Sequence, residues 1–111
     1  MAAQDRVETL LTTPTQLGTA TTVLFTVASA RVNIVKQIII TNTDTVDRTF
    51  SLSIGVAGTA ANRLISTLPI GANDIMVFDT ALVLTAAQTF EGLADTASKV
   101  NVTIVGWVKE V

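Results

Sequence analysis

Arg48 to Val56 reads R-T-F-S-L-S-I-G-V, which places Phe50, Leu52, Ile54 and Val56 on one parity and Thr49, Ser51, Ser53 and Gly55 on the other. Successive side chains of a strand point to opposite faces, so this alternation predicts a half-buried strand with an apolar inner row and a hydroxyl-bearing outer row. Phe50, Leu52 and Ile54 are therefore expected in a core, and Thr49 and Ser51 are expected to tolerate alanine. The same pattern recurs along the chain. Strands are predicted at Thr21 to Val27, Val32 to Asn42, Arg48 to Val56, Arg63 to Pro69, Asp74 to Leu82, Gln88 to Ala94 and Lys99 to Lys109. Turn-forming clusters separate them at Ala28 to Ala30, Thr43 to Asp47, Gly58 to Asn62, Gly71 to Asn73, Thr85 to Ala87 and Asp95 to Ser98. Short strands at this spacing predict an all-β fold: a single-domain β-sandwich, jelly roll or small barrel. A count of about eight strands, with part of the N-terminal segment as one of them, favours the jelly roll over a seven-stranded immunoglobulin-type sandwich.

Residues 1–20 read as an N-terminal arm and residues 21–111 as the β-sandwich domain. From Val7 to Leu17, V-E-T-L-L-T-T-P-T-Q-L lacks clean alternation and is punctuated by Pro14, so no more than a short edge strand is expected there. Val7, Leu10, Leu11 and Leu17 offer too little apolar surface for the arm to fold alone, which makes them candidates for contact with a neighbouring subunit. In the segment Val32 to Asn42, Val32, Ile34, Ile38 and Ile40 share one parity while Val35 and Ile39 take the other. A strand apolar on both faces is central or covered, and Val35 and Ile39 join the candidate interface. Lys36 interrupts the apolar parity, either as a stem snorkelling at a sheet margin or as half of an ion pair across a subunit contact. In the last segment Val100, Val102, Ile104 and Val108 share a parity, and Trp107 lies on the other with Thr103 and Val105. The sole tryptophan in a chain without tyrosine reads as a packed or interface residue, since a sugar-binding face needs several aromatic platforms.

Composition narrows the chemistry. A chain of 111 residues fits one domain that buries roughly two-thirds of its unfolded surface, enough to fold without disulfides or metals. There is no cysteine, hence no disulfide framework, thiolate site or thiol nucleophile. There is no histidine either, so catalysis would have to run on carboxylates, lysines or hydroxyls alone, and an enzyme is not expected. A net charge of −2, with seven scattered basic residues, lacks the footprint of a nucleic-acid binder. Mean hydropathy is +0.55, yet no apolar run approaches the roughly 18 to 20 residues that span a bilayer, and no membrane association is expected. M-A-A-Q-D-R has no apolar stretch behind it to act as a signal peptide, so the cytosol of the producing cell is the expected location. A surface this apolar and this weakly charged suggests a face reserved for a partner.

Three constellations could carry chemistry. Asn42, Asp44 and Asp47 in T-N-T-D-T-V-D-R offer oxygens to a hard cation, but without a glycine to turn the loop or a closing glutamate they read better as an Asx-bonded turn. Ser98 and Lys99 could form a nucleophile–base pair only if they shared a face, which consecutive strand residues do not. Asp5 and Glu8 read as solvated charge in the arm. No catalytic, cofactor-binding or metal-ligating residue is predicted.

The order of the segments carries a resemblance. V-L-F-T-V-A-S-A-R-V-N-I-V-K-Q-I-I-I-T-N-T, R-T-F-S-L-S-I, L-P-I-G-A-N-D and the closing K-V-N-V-T-I-V-G-W-V-K-E-V resemble small structural proteins of tailed bacteriophage virions, over about Thr22 to Val111. The resemblance implies a β-sandwich in many copies on a virion, most often a capsid decoration or cement protein. Such a protein binds the major capsid protein or other virion proteins as a small homo-oligomer, such as a trimer, by strand addition or arm exchange. The alternative it implies is a tail, fibre or spike component contacting host surface glycans. No catalytic or binding residue transfers with it.

Overall fold

The computed structural model describes residues 6–110, with side chains described from residue 9 onward. These residues form eight strands: β1 (Arg6–Gln16), β2 (Thr22–Thr26), β3 (Arg31–Asn42), β4 (Arg48–Ile54), β5 (Arg63–Ile70), β6 (Ile75–Thr85), β7 (Thr89–Ala94) and β8 (Val100–Glu110), with one 3-10 turn at Ala60–Asn62. Two four-stranded antiparallel sheets stack as a single-domain β-sandwich. Sheet 1 runs β1-β8-β3-β6 and sheet 2 runs β2-β7-β4-β5. The pairing is nested, with β1 on β8, β2 on β7, β3 on β6 and β4 on β5. The chain is thus one long antiparallel ribbon with its tip between β4 and β5, and the β3–β8 and β4–β7 ladders join its turns side by side.

The alternation that predicts strands also fills the space between the sheets. Ile38, Ile40, Val100, Val102 and Ile104 of sheet 1 face Phe50, Leu52, Phe90 and Ala94 of sheet 2, all buried. The Phe25 and Phe90 rings stack with centroids 5.7 Å apart. Burying a side chain of this size stabilises by roughly 1.5–3 kcal/mol, and apolar area rather than charge holds the fold.

A line of inserted residues crosses sheet 1. Where β8 advances two residues, from Ile104 to Gly106, β1 opposite takes three between Thr9 and Thr12, and β3 takes three between Val35 and Ile38. β6 then takes four between Phe78 and Leu82. An extra residue reverses the parity that faces inward. On β3, Asn33 and Val35 are buried before the crossing and Ile38, Ile40 and Asn42 after it, with Lys36 exposed between. The single-parity reading of this segment fails here: Val32 and Ile34 point outward although they share a parity with Ile38 and Ile40. Val35, expected at an interface, is fully buried in the core.

The division into an arm and a domain also changes. Residues 6–16 form the edge strand β1, hydrogen-bonded along β8 from Arg6 opposite Lys109 to Gln16 opposite Asn101. Pro14 sits at this free edge, where its missing N–H interrupts no ladder between strands on both sides. Leu17 is not an interface residue but core, 1% exposed. Gly92 makes the space for it, since a Cβ there would lie 3.1 Å from Leu17 Cδ2 and 2.9 Å from Leu52 Cδ2. The Leu17 N–H donates to the Val100 carbonyl at 2.8 Å, and the buried Thr12 hydroxyl donates to the Leu24 carbonyl at 3.1 Å.

Candidate interaction surface

The polar groups that could carry chemistry are committed to holding loops. Asn42 is fully buried; its Nδ2 donates to the carbonyls of Val46, Ile70 and Gly71 at 2.9, 3.2 and 3.1 Å, and its Oδ1 accepts the Asp44 N–H at 2.9 Å. One side chain thus ties the β3–β4 loop to the end of β5. Asp44 Oδ2 accepts from Nε and Nη2 of Arg48 at 2.9 and 2.7 Å, and Asp47 Oδ1 accepts the Ala72 N–H at 3.1 Å. The Arg48 hydrogen bonds, then the Thr45 N–H, hold the Asp44 carboxyl below its ordinary 3.8. This is the Asx-type turn anticipated for T-N-T-D-T-V-D-R. Among the described residues no three His, Cys, Asp or Glu side chains gather where they could hold a metal ion. Ser98 lies in a turn with φ 62°, where its N–H donates to the Leu17 carbonyl. Asp5 and the side chain of Glu8 lie outside the described residues.

On sheet 2 the outward residues at the centre of β4 and β7 are polar and covered, whereas Val23 on the edge strand β2, opposite Glu91, is 53% exposed. Ser51, Ser53 and Glu91 are buried although their parity faces away from the core. Ser51 Oγ accepts the Thr67 N–H at 2.9 Å, and Ser53 Oγ donates to the Gly55 carbonyl at 2.8 Å. Glu91 accepts from the Thr21 and Thr89 hydroxyls, and Thr21 Oγ1 in turn accepts the Ala57 N–H at 2.8 Å. Hydroxyls thereby staple the β4–β5 connection across this face.

At the seam between the edge strands β5 and β6 the sandwich leaves an apolar cavity of about 260 Å³, lined by Ile38, Leu52, Leu64, Phe78, Leu82 and Phe90 among others. Its one hydroxyl, Thr80 Oγ1, donates to the Val35 carbonyl at 2.6 Å. Small-molecule sites combine apolar walls with a few convergent polar groups. Here those groups are missing, and the cavity is a margin of the core.

The outer row of sheet 1 is richer in exposed apolar side chains. In the ladder, Trp107 of β8, Ile34 of β3 and Val83 of β6 form one row, and Thr103, Ile39 and Val77 form another. Ile75, Val77 and Val83 are more than half exposed, as is Leu10 on β1 opposite Val105. Between the two rows stand Lys36 and Asp79. The Lys36 ammonium lies over the Trp107 ring, 5.1 Å from its centroid, and Asp79 Oδ1 accepts from Gln37 Nε2 at 3.2 Å. Two exposed apolar rows on one sheet face, with a polar band between them, fit a contact surface.

Three residues anticipated at an interface, Leu10, Ile39 and Trp107, meet on this face. Leu11 instead packs against the core, partly buried. Val7 pairs with Val108 in the ladder, its side chain outside the described residues. Ile34, Ile75, Val77 and Val83 escaped the sequence reading, although I-M-V-F-D-T-A-L-V is apolar on both parities, the criterion already applied to β3. No protein-family model matches the chain, and no curated protein matches it.

Proposed function

We propose that this chain is a non-enzymatic structural protein of a tailed-bacteriophage virion, a capsid decoration protein that binds the major capsid lattice as a small homo-oligomer. The observation that carries the reading is the exposed apolar rows on the outer face of sheet 1, on a sandwich whose buried Asn42, Ser51, Ser53 and Glu91 are engaged in holding the chain's connections. A protein built this way offers area rather than chemistry, as attachment to a lattice requires. The resemblance of the strand order to virion proteins supports the same reading. So does the nested pairing of the two-sheet sandwich, which fits the expected jelly roll, an architecture recurrent in viral capsid and lectin domains. That last support is an analogy of fold. The glycan-contacting alternative has less behind it, because the one tryptophan ring is covered by Lys36 rather than presented as a bare platform. Mass spectrometry of particles separated into heads and tails tests the proposal. The protein is expected in heads in many copies; recovery from tails alone, or from neither fraction, overturns it.

A further inference from the structure

Four strands end the two sheets, β1 and β6 in sheet 1 and β2 and β5 in sheet 2. An edge strand offers a row of unpaired N–H and C=O groups to any other strand, and folded proteins blunt such rows with proline, charge, short length or irregularity. Three of the four edges are blunted. β1 carries Pro14 and two register shifts, β5 carries Arg63, Pro69 and a Thr67 at φ 51°, and β2 has five residues, with the Thr12 hydroxyl bonded to its Leu24 carbonyl. β6 (Ile75–Thr85) is different. It runs for 11 residues, I-M-V-F-D-T-A-L-V-L-T, with no proline and one charge, Asp79, whose carboxylate accepts from Gln37 of the same sheet. Its even-numbered side chains are buried or half-buried and its odd-numbered ones exposed along the whole strand, across the bulge opposite Lys36 as well.

The residues of β6 also match themselves in reverse. Thr80 is the middle of the strand, and an antiparallel copy centred on it sets Val77 opposite the second copy's Val83 and Phe78 opposite its Leu82, so each face meets its own kind. Asp79 then stands opposite Ala81. A centre on Asp79 would instead oppose two carboxylates, and a slip of one residue would set the inward row against the outward one. We propose that β6 is a two-fold strand-addition edge, on which the β6 of a second copy pairs antiparallel and continues sheet 1 from one copy into the other.

The seam beside β6 favours the same occupant. At about 3.3 Å per residue the paired strands give a contact line of roughly 36 Å. A two-fold axis perpendicular to sheet 1 keeps both cores on one side of the joined sheet, so the apolar cavity of about 260 Å³ between β5 and β6 faces its counterpart. Leu64, which lines the cavity and is 47% exposed, and the half-buried Phe78 and Leu82 then gain apolar cover from the other copy. A lone peptide strand would satisfy the backbone groups of β6 but leave this seam open.

The contact gives the homo-oligomer of the proposed function its surface, yet its test needs no virion, so the two readings fail separately. Sedimentation equilibrium of the full chain should show a monomer–dimer equilibrium. The chain has no cysteine, so oxidation reports only on thiols placed by substitution. An equimolar mixture of Asp79→Cys and Ala81→Cys should form a disulfide-linked dimer, because directly opposite residues bring their Cα atoms within the roughly 4.4–6.8 Å that a disulfide spans. Either variant alone should not, its two thiols lying two residues out of step. Val77→Lys/Val83→Lys should be monomeric where the parent dimerises, since like charges then face each other at both pairs, whereas Val77→Lys/Val83→Glu should still dimerise. Circular dichroism unchanged from the parent identifies the variants that are folded. A chain that is monomeric at every concentration, a trimer, a dimer indifferent to Val77→Lys/Val83→Lys, or single cysteine variants that link as well as the mixture overturns the proposal. So does a monomer whose Val77→Lys/Val83→Lys variant no longer attaches to particles, which assigns the edge to a strand of another virion protein.

Discussion

Gly106 and Ile34 approach so closely that a Cβ built on the glycine would lie 2.0 Å from the Ile34 carbonyl oxygen and 2.9 Å from Leu11 Cδ1. The contact sits on the line of bulges where β1, β8, β3 and β6 fall out of step. Backbone, not a flexible side-chain tip, occupies the space, so Gly106→Ala must part β8 from β3. Its cost should reach or exceed the about 1–3 kcal/mol typical of overpacking. Gly58 has nothing within 4 Å of its virtual Cβ, and Gly58→Ala should stay within about 0.5 kcal/mol of the parent. Denaturant melts of the two variants check this; equal stabilities would mean that the ladder yields freely at Gly106.

Strand β4 separates two kinds of outward residue. Leu52→Ala should cost about 2–5 kcal/mol, as for other large-to-small core changes. Thr49 is partly exposed, and Thr49→Ala should be nearly neutral. Ser51 shares the Thr49 parity but is 1% exposed and accepts the Thr67 N–H. Ser51→Ala should therefore cost about 0.5–1.5 kcal/mol, the usual net worth of the hydrogen bond it loses. Thermal unfolding of the three variants gives the order.

How much of this was legible in the sequence differs by element. The ends of β2 to β8 are readable to within two residues because apolar alternation and turn residues coincide there, as in R-T-F-S-L-S-I between T-D-T-V-D and G-V-A-G-T, except that β6 runs on to Thr85 where the pattern places its end at Leu82. The parity reversal on β3 was not, because a bulge at Lys36 is a product of three neighbouring strands keeping different step counts, and one strand read alone carries no trace of it. Strand β1 reads as an arm in the sequence because its apolar residues are irregular, and that irregularity is the bulge between Leu10 and Thr12. The burial of Ser51 depends on the irregular stretch of β5 around Thr67 folding over it, a contact 16 residues away that local pattern does not encode. Half of the candidate face was legible through Leu10, Ile39 and Trp107. The β6 half was not, since an edge strand apolar on both sides looks the same in sequence as a central one.

Acid should weaken the β3–β4 loop through Asp44. Its folded-state value lies below the ordinary 3.8 because the Arg48 guanidinium and the Thr45 N–H bind the carboxylate. The stabilisation is therefore fully present above the unfolded value and is lost as pH falls through the folded one. Melting temperature measured from neutral pH down to pH 2 should decline with a component that Asp44→Asn removes. An acid limb identical in parent and variant would show that the pairing contributes nothing to stability.

Truncation of the N-terminus tests whether β1 belongs to the sandwich. Removing Ala2 to Thr13 deletes all but the last three residues of β1, exposing the β8 ladder and removing Leu11 and Thr12. An arm that ordered only on a neighbour would leave the isolated domain as stable as before. The observed strand instead covers Gly106 with Leu11 and ties to β2 through Thr12, so the truncated chain should melt well below the parent and bare an unpaired β8 edge prone to association. Two point variants separate covering from tethering. Leu10→Ser, at an exposed position, should leave the melting of the dilute protein unchanged, whereas Leu11→Ser should cost about 1–3 kcal/mol because the side chain is partly buried against the core. A truncated protein that melts like the full chain, with Leu11→Ser equally silent, would return residues 6–13 to the status of a dispensable arm.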